Sequence, residues 1–564
     1  MSKILVTGAN GYIGSKVVKQ LLDDGVDVIA TDFDCANIDE RAVFIKSNIF
    51  DNVPNWYSFF GNPDICLHLA WRDGFVHNSQ NHIGDLSGHY KFITNLIDNG
   101  LKKFVSMGSM HEVGYYEGAI NEDTQCSPLS QYGIAKNALR KSIELYCLQK
   151  KCKFQWLRAY YIFGDDLYGN SIFCKIRQAV KDGKELFPFT TGKNKYDFIH
   201  INDLANQISK CTMQDKILGI INVCSGKPIS LADQIEWYIK YNKLPIKLDY
   251  GKYPDRPYDS PCIYGDNTKI KQVMELYKKI LVTGVNGQLG YDCVRELKER
   301  GYRNVIGIDV HDLDLTKELL VKKYISDLKP DVVMHNAAWT AVDKAELNVE
   351  EVYDINSNAR RYIAEACKEI GAKMVYISTD YVFDGKGTNE FEVSDKKAGI
   401  SIYGKSKALG EDNVICSLDK YFIVRISWAF GTHGNNFVKT MLKLADLGKK
   451  EINVVCDQIG SVTYTYDLSK LLCDMIVTEK YGVYHATNEG YISWAEFAEK
   501  IFELTGKNVK VNHVTTKEYC KMVLQQAQRP LNSRLSKKSL DNAGFSRLPD
   551  WNDALIRYLE EIKS

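Results

Sequence analysis

The chain has 564 residues, of which 45% are hydrophobic and 25% charged, with a formal net charge of +1. That is an ordinary globular balance, and it gives no electrostatic reason to expect nucleic acid or an acidic membrane as a partner. Its 15 cysteines are scattered from Cys35 to Cys520 without a C-x-x-C pair, which suits reduced thiols in a cytoplasmic, metal-free protein rather than a disulfide framework or a zinc site. No apolar run approaches the roughly 18–20 residues that span a bilayer, and a core strand beginning at Lys3 leaves no place for a secretory leader.

The first predicted element is a short apolar strand, Ile4-Leu5-Val6, running into the glycine turn Gly8, Gly11, Gly14 and then a helix over Ser15–Leu22. The stretch KILVTGANGYIG at Lys3–Gly14 returns as KILVTGVNGQLG at Lys279–Gly290. The spacing G-x-x-G-x-x-G is close to the dinucleotide-binding fingerprint, in which glycines allow a tight turn and let a pyrophosphate approach the helix N-terminus. Gly8, Gly11, Tyr12, Ile13 and Gly14, and then Gly284, Gly287, Gln288, Leu289 and Gly290, are the expected cofactor contacts of the two turns.

Strands over Val26–Ala30, Ile65–Leu69 and Phe104–Met107 follow in the first half. Val305–Ile308, Val332–Met334 and Met374–Ile377 match them in the second, with a helix expected over Glu351–Ile370. The duplication continues along the chain. Tyr132-Gly133-Ile134-Ala135-Lys136 is echoed by Tyr403-Gly404-Lys405-Ser406-Lys407, and Arg158 by Arg425. The offset falls only from 276 (Gly8 to Gly284) to 264 (Asp203 to Asp467). Strands alternating with helices predict an α/β fold, with two tandem doubly wound parallel sheets and ligands at the carboxyl ends of the strands. The expected domains are 1–277 and 278–564, each with a smaller C-terminal substrate-binding part.

Asp32 and Asp309 stand at the end of the second strand of each half, where a carboxylate hydrogen-bonds a ribose 2′-hydroxyl and repels a 2′-phosphate. No Arg follows either one directly, which favours NAD in the first half and leaves NADPH or NADH open in the second. A P-loop is excluded, because neither turn contains Gly-Lys-Ser or Gly-Lys-Thr. Tyr132 and Lys136, like Tyr403 and Lys407, are spaced i,i+4 and so share a helix face. An ammonium beside a phenol is expected to bring its pKa of about 10 towards the working range. A hydroxyl precedes each pair at a strand end, Ser109 in one half and Thr379 in the other.

A glycine turn, a Ser/Thr and then Tyr-x-x-x-Lys resembles the extended short-chain dehydrogenase/reductase superfamily, and the sequence contains the set twice. That resemblance implies two Rossmann-like domains. In residues 279–564 the runs TAVDKAE from Thr340, STDYVF from Ser378, YGKSK from Tyr403, GNNF from Gly434 and RPLNSR from Arg529 resemble dTDP-4-dehydrorhamnose reductase. The resemblance implies reduction of dTDP-4-dehydro-L-rhamnose to dTDP-L-rhamnose, with Tyr403 delivering the proton, Thr379 holding the oxygen and Lys407 tuning Tyr403. It also implies that Trp428, Asn436 and Arg529 contact the sugar nucleotide; for Trp428 the plain alternative is a core aromatic, and for Arg529 a solvated charge. Some members carry magnesium at a subunit contact, and a homodimer stays open, but no local cluster commits this chain to the metal.

The first half resembles the NAD-dependent epimerase/dehydratase branch. Ser109-Met110-His111 stands where a 4,6-dehydratase carries Thr-Asp-Glu, which argues against water elimination. A nucleotide-sugar 4-epimerase and a 4-ketoreductase both remain, with Ser109, Tyr132 and Lys136 as the catalytic set. His111 and Glu112 are an acid/base pair in one reading and a polar loop end in the other. His68 and His335, at strand ends, read as structural. The whole is expected to be a bifunctional enzyme of deoxysugar-nucleotide synthesis for polysaccharide assembly. The rival is a first half that only binds NAD or a sugar nucleotide and regulates the second.

Overall fold

The structure is a computed structural model that describes residues 2–74, 76–164, 171–254, 259–523 and 527–563. The chain divides into two compact units, Met1–Met274 and Glu275–Ser564.

In the first unit seven parallel strands form one sheet: β1 (Lys3–Thr7), β2 (Asp27–Thr31), β3 (Val43–Phe44), β4 (Ile65–His68), β5 (Lys103–Ser109), β6 (Lys153–Ala159) and β7 (Gly219–Val223). Their spatial order is β7-β6-β5-β4-β1-β2-β3. The order reverses between β1 and β4, and such a switch point opens a crevice at the carboxyl ends of the strands. The helices α1 (Tyr12–Asp23), α2 (Leu86–Asp98), α3 (Gln131–Lys150) and α4 (Ile201–Met213) are the crossovers. Leu5, Cys66, Phe104 and Trp156 of the sheet pack on Phe92 of α2 and Ile143 of α3. The aromatic run at Trp56–Phe60 belongs to this core, with Trp56 and Phe60 buried against Phe92. A smaller sheet carries the C-terminal part, built on Lys195–His200 between Pro228–Ser230 and Cys262–Gly265.

The second unit repeats the plan with six parallel strands, β8 (Lys279–Thr283), β9 (Asn304–Ile308), β10 (Val332–His335), β11 (Lys373–Thr379), β12 (Tyr421–Ile426) and β13 (Gly482–His485), ordered β9-β8-β10-β11-β12-β13. Its crossovers include α5 (Gln288–Glu299), α6 (Ala359–Ile370), α7 (Ile402–Ser417) and, after α8 (Phe437–Asp446) of the smaller C-terminal part, α9 (Thr465–Ile476). The two-residue period of a strand splits the core. Ile280 and Val282 pack with Leu297 and Leu472, while Leu281 faces Ile363 and Cys367 on the other side.

One expectation is corrected here. The helix read over Glu351–Ile370 is interrupted: Val349–Tyr353 passes into a π-helical turn, Asp354–Asn358, before α6. The extra residue turns Asn356 inward, where its Oδ1 accepts from Trp339 N (2.9 Å) and its Nδ2 donates to Trp339 O (3.1 Å) and Ser406 Oγ (3.2 Å). Apolar periodicity carries no sign of such a turn. Among the described residues, no helix is long and apolar enough to cross a membrane, and no group of three or more His, Cys, Asp or Glu is arranged to hold a metal ion.

Two candidate active sites

Both glycine turns are forced. Gly8 has φ +67°, and a Cβ there would lie 2.7 Å from Ala70 Cα; a Cβ on Gly14 would lie 2.0 Å from Gly8 O. Gly284 has φ +70° and the corresponding gap at Gly290 is 2.1 Å, so in each half only glycine permits the turn. Gly11 and Gly287 start α1 and α5 without a side-chain cap, which leaves helix N-terminal amides for an anion. Asp32 Oδ2 accepts from Asn10 N and Asp309 Oδ2 from Asn286 N, both at 2.9 Å. Each carboxylate therefore sits across the turn from the first strand, and this cradle fits a dinucleotide. Of the other turn residues, Ile13 is half-buried and Leu289 buried. Tyr12 donates its hydroxyl to Gly164 O (2.5 Å), and Gln288 donates to Asn435 O (3.3 Å).

In the first half β5 delivers Ser109 to the start of a single 3-10 turn, Met110–Glu112. Ser109 Oγ accepts from His111 N (3.3 Å), while Glu112 Oε1 accepts from Ser109 N (2.7 Å) and from Trp156 Nε1 (2.8 Å). Glu112 is fully buried, with Arg140 and Arg158 at 3.6 and 3.8 Å from its other oxygen. It is an anchor for the serine, and the acid/base alternative for His111 and Glu112 loses its carboxylate. Ser130 caps α3, the helix that brings Tyr132 into hydrogen bonding with Ser109. Lys136 Nζ donates to Met107 O (2.8 Å), lies 3.9 Å from the centre of the Trp71 ring and 6.0 Å from that of Tyr132.

The second half rebuilds the set from different neighbours. Thr379 starts the turn Asp380–Val382, accepts from Tyr381 N (3.3 Å), donates to Asp380 Oδ1 (2.9 Å) and is hydrogen-bonded to Tyr403. Lys407 Nζ donates to Ile377 O (2.5 Å). Tyr381 stands edge-on to Tyr403 with ring centres 5.4 Å apart. Arg529 donates to Tyr381 OH (3.2 Å) and pairs with Asp343 (2.7 Å).

The expected lowering of the phenols does not occur. Burial pushes Tyr132 up to about 12, with the Ser109 hydrogen bond pulling the other way, and it pushes Lys136 down to about 7. Tyr403 is raised and Lys407 lowered for the same reason. Both lysines spend a hydrogen bond on a strand carbonyl, and loss of water is the largest effect at each phenol. Burial also lifts Asp380 to about 6 against the hydrogen bonds of Ser533 and Thr379. Asp343, Asp380, Tyr381 and Ser533 are additions to the site; they lie inside the quoted reductase-like runs, which was their only trace in the sequence.

Arg529 bonds Tyr381, which stands edge-on to Tyr403, whereas Trp428 and Asn436 have other partners. Trp428 has φ +48° and stacks on Trp494 with ring centres 3.9 Å apart. Asn436 caps α8, and its Nδ2 donates to Gly431 O (2.8 Å), Tyr558 OH (3.1 Å) and Gln288 Oε1 (3.2 Å). Its amide is engaged within the protein, tying α8 to the start of α5. His68 and His335 are buried, with Nδ1 bonded to Thr7 Oγ1 (2.9 Å) and Thr283 Oγ1 (2.8 Å).

Residues 278–564 match the family model described as RmlD substrate binding domain, and residues 4–224 match the NAD dependent epimerase/dehydratase family. The chain belongs to the RmlD substrate binding domain family. Its epimerase/dehydratase-like half precedes that domain. Similar curated proteins include the spore coat polysaccharide biosynthesis protein SpsK of Bacillus subtilis (strain 168), 41% identical over 286 residues, 51% of this chain and 98% of that one. The dTDP-6-deoxy-L-talose 4-dehydrogenase (NAD(+)) of Aggregatibacter actinomycetemcomitans is 40% identical over 267 residues, 46% of this chain and 98% of that one. A dTDP-4-dehydrorhamnose reductase of the same organism is 39% identical over 289 residues, covering 49% and 97%. Among solved structures, a dTDP-4-dehydrorhamnose reductase from Bacillus anthracis in complex with NADP is 41% identical, covering 50% of this chain and 99% of that one, at a TM-score of 0.49.

Proposed function

We propose that the chain is a bifunctional nucleotide-sugar enzyme whose two halves act at C4 of a dTDP-6-deoxy sugar. The observation that carries this is the separate assembly, in each half, of a buried hydroxyl beside a half-buried tyrosine one helical turn from a buried lysine. A half that only bound a ligand would need the glycine turn alone.

In the second half the reading is reduction of dTDP-4-dehydro-L-rhamnose to dTDP-L-rhamnose. Tyr403 gives its proton to O4, Thr379 holds that oxygen, and Lys407, one helical turn from Tyr403 and anchored on Ile377 O, would hold the nicotinamide ribose. A nicotinamide cofactor supplies or accepts the hydride when bound. The two glycine turns with Asp32 and Asp309 would hold its diphosphate and ribose. In the first half a second carboxylate, Asp34, is drawn to the turn by Asn10 (2.6 Å), and two negative charges there favour NAD over NADP.

The first half is assigned as a 4-ketoreductase/4-dehydrogenase rather than a one-site epimerase. Glu112 is locked among Ser109, Trp156 and two arginines, which argues against water elimination, while reduction and epimerisation at C4 both need only Tyr132 and the nicotinamide; the choice rests on the chemistry of a relative. That relative, named dTDP-6-deoxy-L-talose 4-dehydrogenase (NAD(+)) and matched over 46% of the chain, supports a 4-dehydrogenase as the partner of the reductase-like half. That sugar and L-rhamnose differ only at C4, so both yield the same 4-ketone. One half would then act on one face of that carbonyl, and the other half on the opposite face.

The test gives the full chain dTDP-4-dehydro-L-rhamnose with NADH or NADPH and identifies the products by NMR. Tyr403→Phe is expected to remove dTDP-L-rhamnose, and Tyr132→Phe to leave it. Loss of dTDP-L-rhamnose on Tyr132→Phe alone would overturn the division of labour.

A further inference from the structure

Residue 111 and residue 381 occupy the same place in the two halves. Each is the second residue after the hydroxyl that starts the 3-10 turn, and each donates its backbone N–H to that hydroxyl at 3.3 Å. Each also sets its ring edge-on to the tyrosine of its site, at 6.0 Å and 69° for His111 and 5.4 Å and 77° for Tyr381. Their outer partners differ in kind. Tyr381 leads to a guanidinium, Arg529, itself tied to Asp343. His111 leads to a second imidazole, His77, with ring centres 4.3 Å apart.

His77 is held there by its own strap of chain. Its carbonyl accepts from Tyr132 N (2.9 Å), the next residue's Asn78 Oδ1 accepts from Gln131 N (3.2 Å), and both donors are free amides of the first turn of α3. The His77 ring then lies parallel to that of Tyr132, 5.7 Å away at 14°. His82 and Trp71 complete the surround of Tyr132 at 5.3 and 6.2 Å, and they bond each other through Trp71 Nε1 and His82 Nδ1 (3.2 Å). The cation beside this group is Lys136, whose ammonium is committed to Met107 O. Burial and the neighbouring His77 hold His111 at about 4, so at neutral pH it offers one N–H donor and one acceptor and no charge.

We propose that His77 and His111 are the specificity-determining pair of the first site, doing there with two imidazoles what Tyr381 and Arg529 do in the second with a phenol and a guanidinium. This rests on the C4 reading above and deepens it. A neutral imidazole, as at His111, reads neutral hydroxyls of the pyranose through a directional donor and acceptor, and His77 stands beside it. A guanidinium anchors an anionic group instead. Two sites that grip the same sugar nucleotide by different groups beside the tyrosine hold it in different orientations, so opposite faces of C4 meet the hydride.

The test uses the full chain carrying Tyr403→Phe, which silences the second half, with dTDP-4-dehydro-L-rhamnose and NADH. His111→Phe and His77→Phe are each expected to raise KM for the ketone about 10-fold or more, the worth of one hydrogen bond, with the Kd for NADH unchanged. His111→Asn, which keeps a donor and an acceptor, is expected to recover most of the loss. KM within about twofold of the parent in both Phe variants would overturn the inference. So would a parallel loss of NADH affinity and Tm without rescue by Asn, which marks a purely structural role. A folded Tyr403→Phe parent without turnover overturns the C4 reading of the first half and this inference with it, and that result is seen before any histidine is changed.

Discussion

Glu411 makes the sharpest test of how the second site is supported. Its carboxylate accepts from Arg425 Nε (2.9 Å) and Nη2 (2.7 Å) and from Ser378 Oγ (2.5 Å), one residue before Thr379. The two ionic side chains are 0% and 4% exposed. Glu411→Ala leaves the guanidinium buried and unpaired, which costs about 3–5 kcal/mol. At about 2 °C per kcal/mol for a unit of this size, the second-half transition should fall by roughly 6–10 °C. Scanning calorimetry of the full chain reads this out, with the first-half transition as internal reference. Burial pushes Glu411 up, but the hydrogen bond and charge of Arg425 more than compensate and leave it below its ordinary value. The stability it contributes is therefore present above the unfolded value of about 4.3 and lost as pH falls through the lower folded one. The gap between wild type and variant should close below about pH 4. A fall of less than about 2 °C at pH 7 would refute the reasoning, and Glu411→Leu with Arg425→Leu should recover most of the loss.

Two further outcomes follow from the site geometry. Asp32→Ala should weaken NAD at one of two sites by about 10–100-fold, the worth of a charged hydrogen bond; calorimetric titration showing two unaltered sites would remove Asp32 from the cradle. Lys136→Met should abolish first-half turnover yet raise its Tm at neutral pH. The folded value of Lys136 lies at about 7, below its unfolded one, through burial. The penalty for burying its charge is therefore full below about pH 7 and shrinks as pH climbs towards 10.4. The Tm gain should be larger at pH 6.5 than at pH 9.5, and an equal or opposite trend would count against this account.

The glycine turns, the carboxylates at Asp32 and Asp309 and both Tyr-x-x-x-Lys faces were legible in the sequence because each depends on spacings of a few residues. Strand–turn–helix geometry converts those spacings directly into position. The supports behind them were not legible. Arg158 and Arg425 correspond, yet Arg158 finds its carboxylate on the 3-10 turn, at Glu112, and Arg425 finds one on α7, at Glu411. In the first half the α3 position matching Glu411 is Arg140, a third member of the same charge cluster. A buried arginine must be neutralised, but which residue does so depends on what the fold brings within reach. His77 was invisible for the same reason, since 55 residues separate it from Tyr132 and only the strap joins them.

The sequence by itself determined that there are two doubly wound units, where each makes its glycine turn, and which tyrosine, lysine and hydroxyl each brings together. Those features are written in local covalent spacing and in the two-residue and 3.6-residue rhythms of apolar side chains. Tertiary structure decided the electrostatics: the phenols rise and the ammonium groups fall, because burial removes the water that would have screened and stabilised their charges. It also decided what surrounds each tyrosine, imidazoles in one unit and a phenol with a guanidinium in the other. That difference depends on contacts between segments far apart in the chain, which no local pattern encodes.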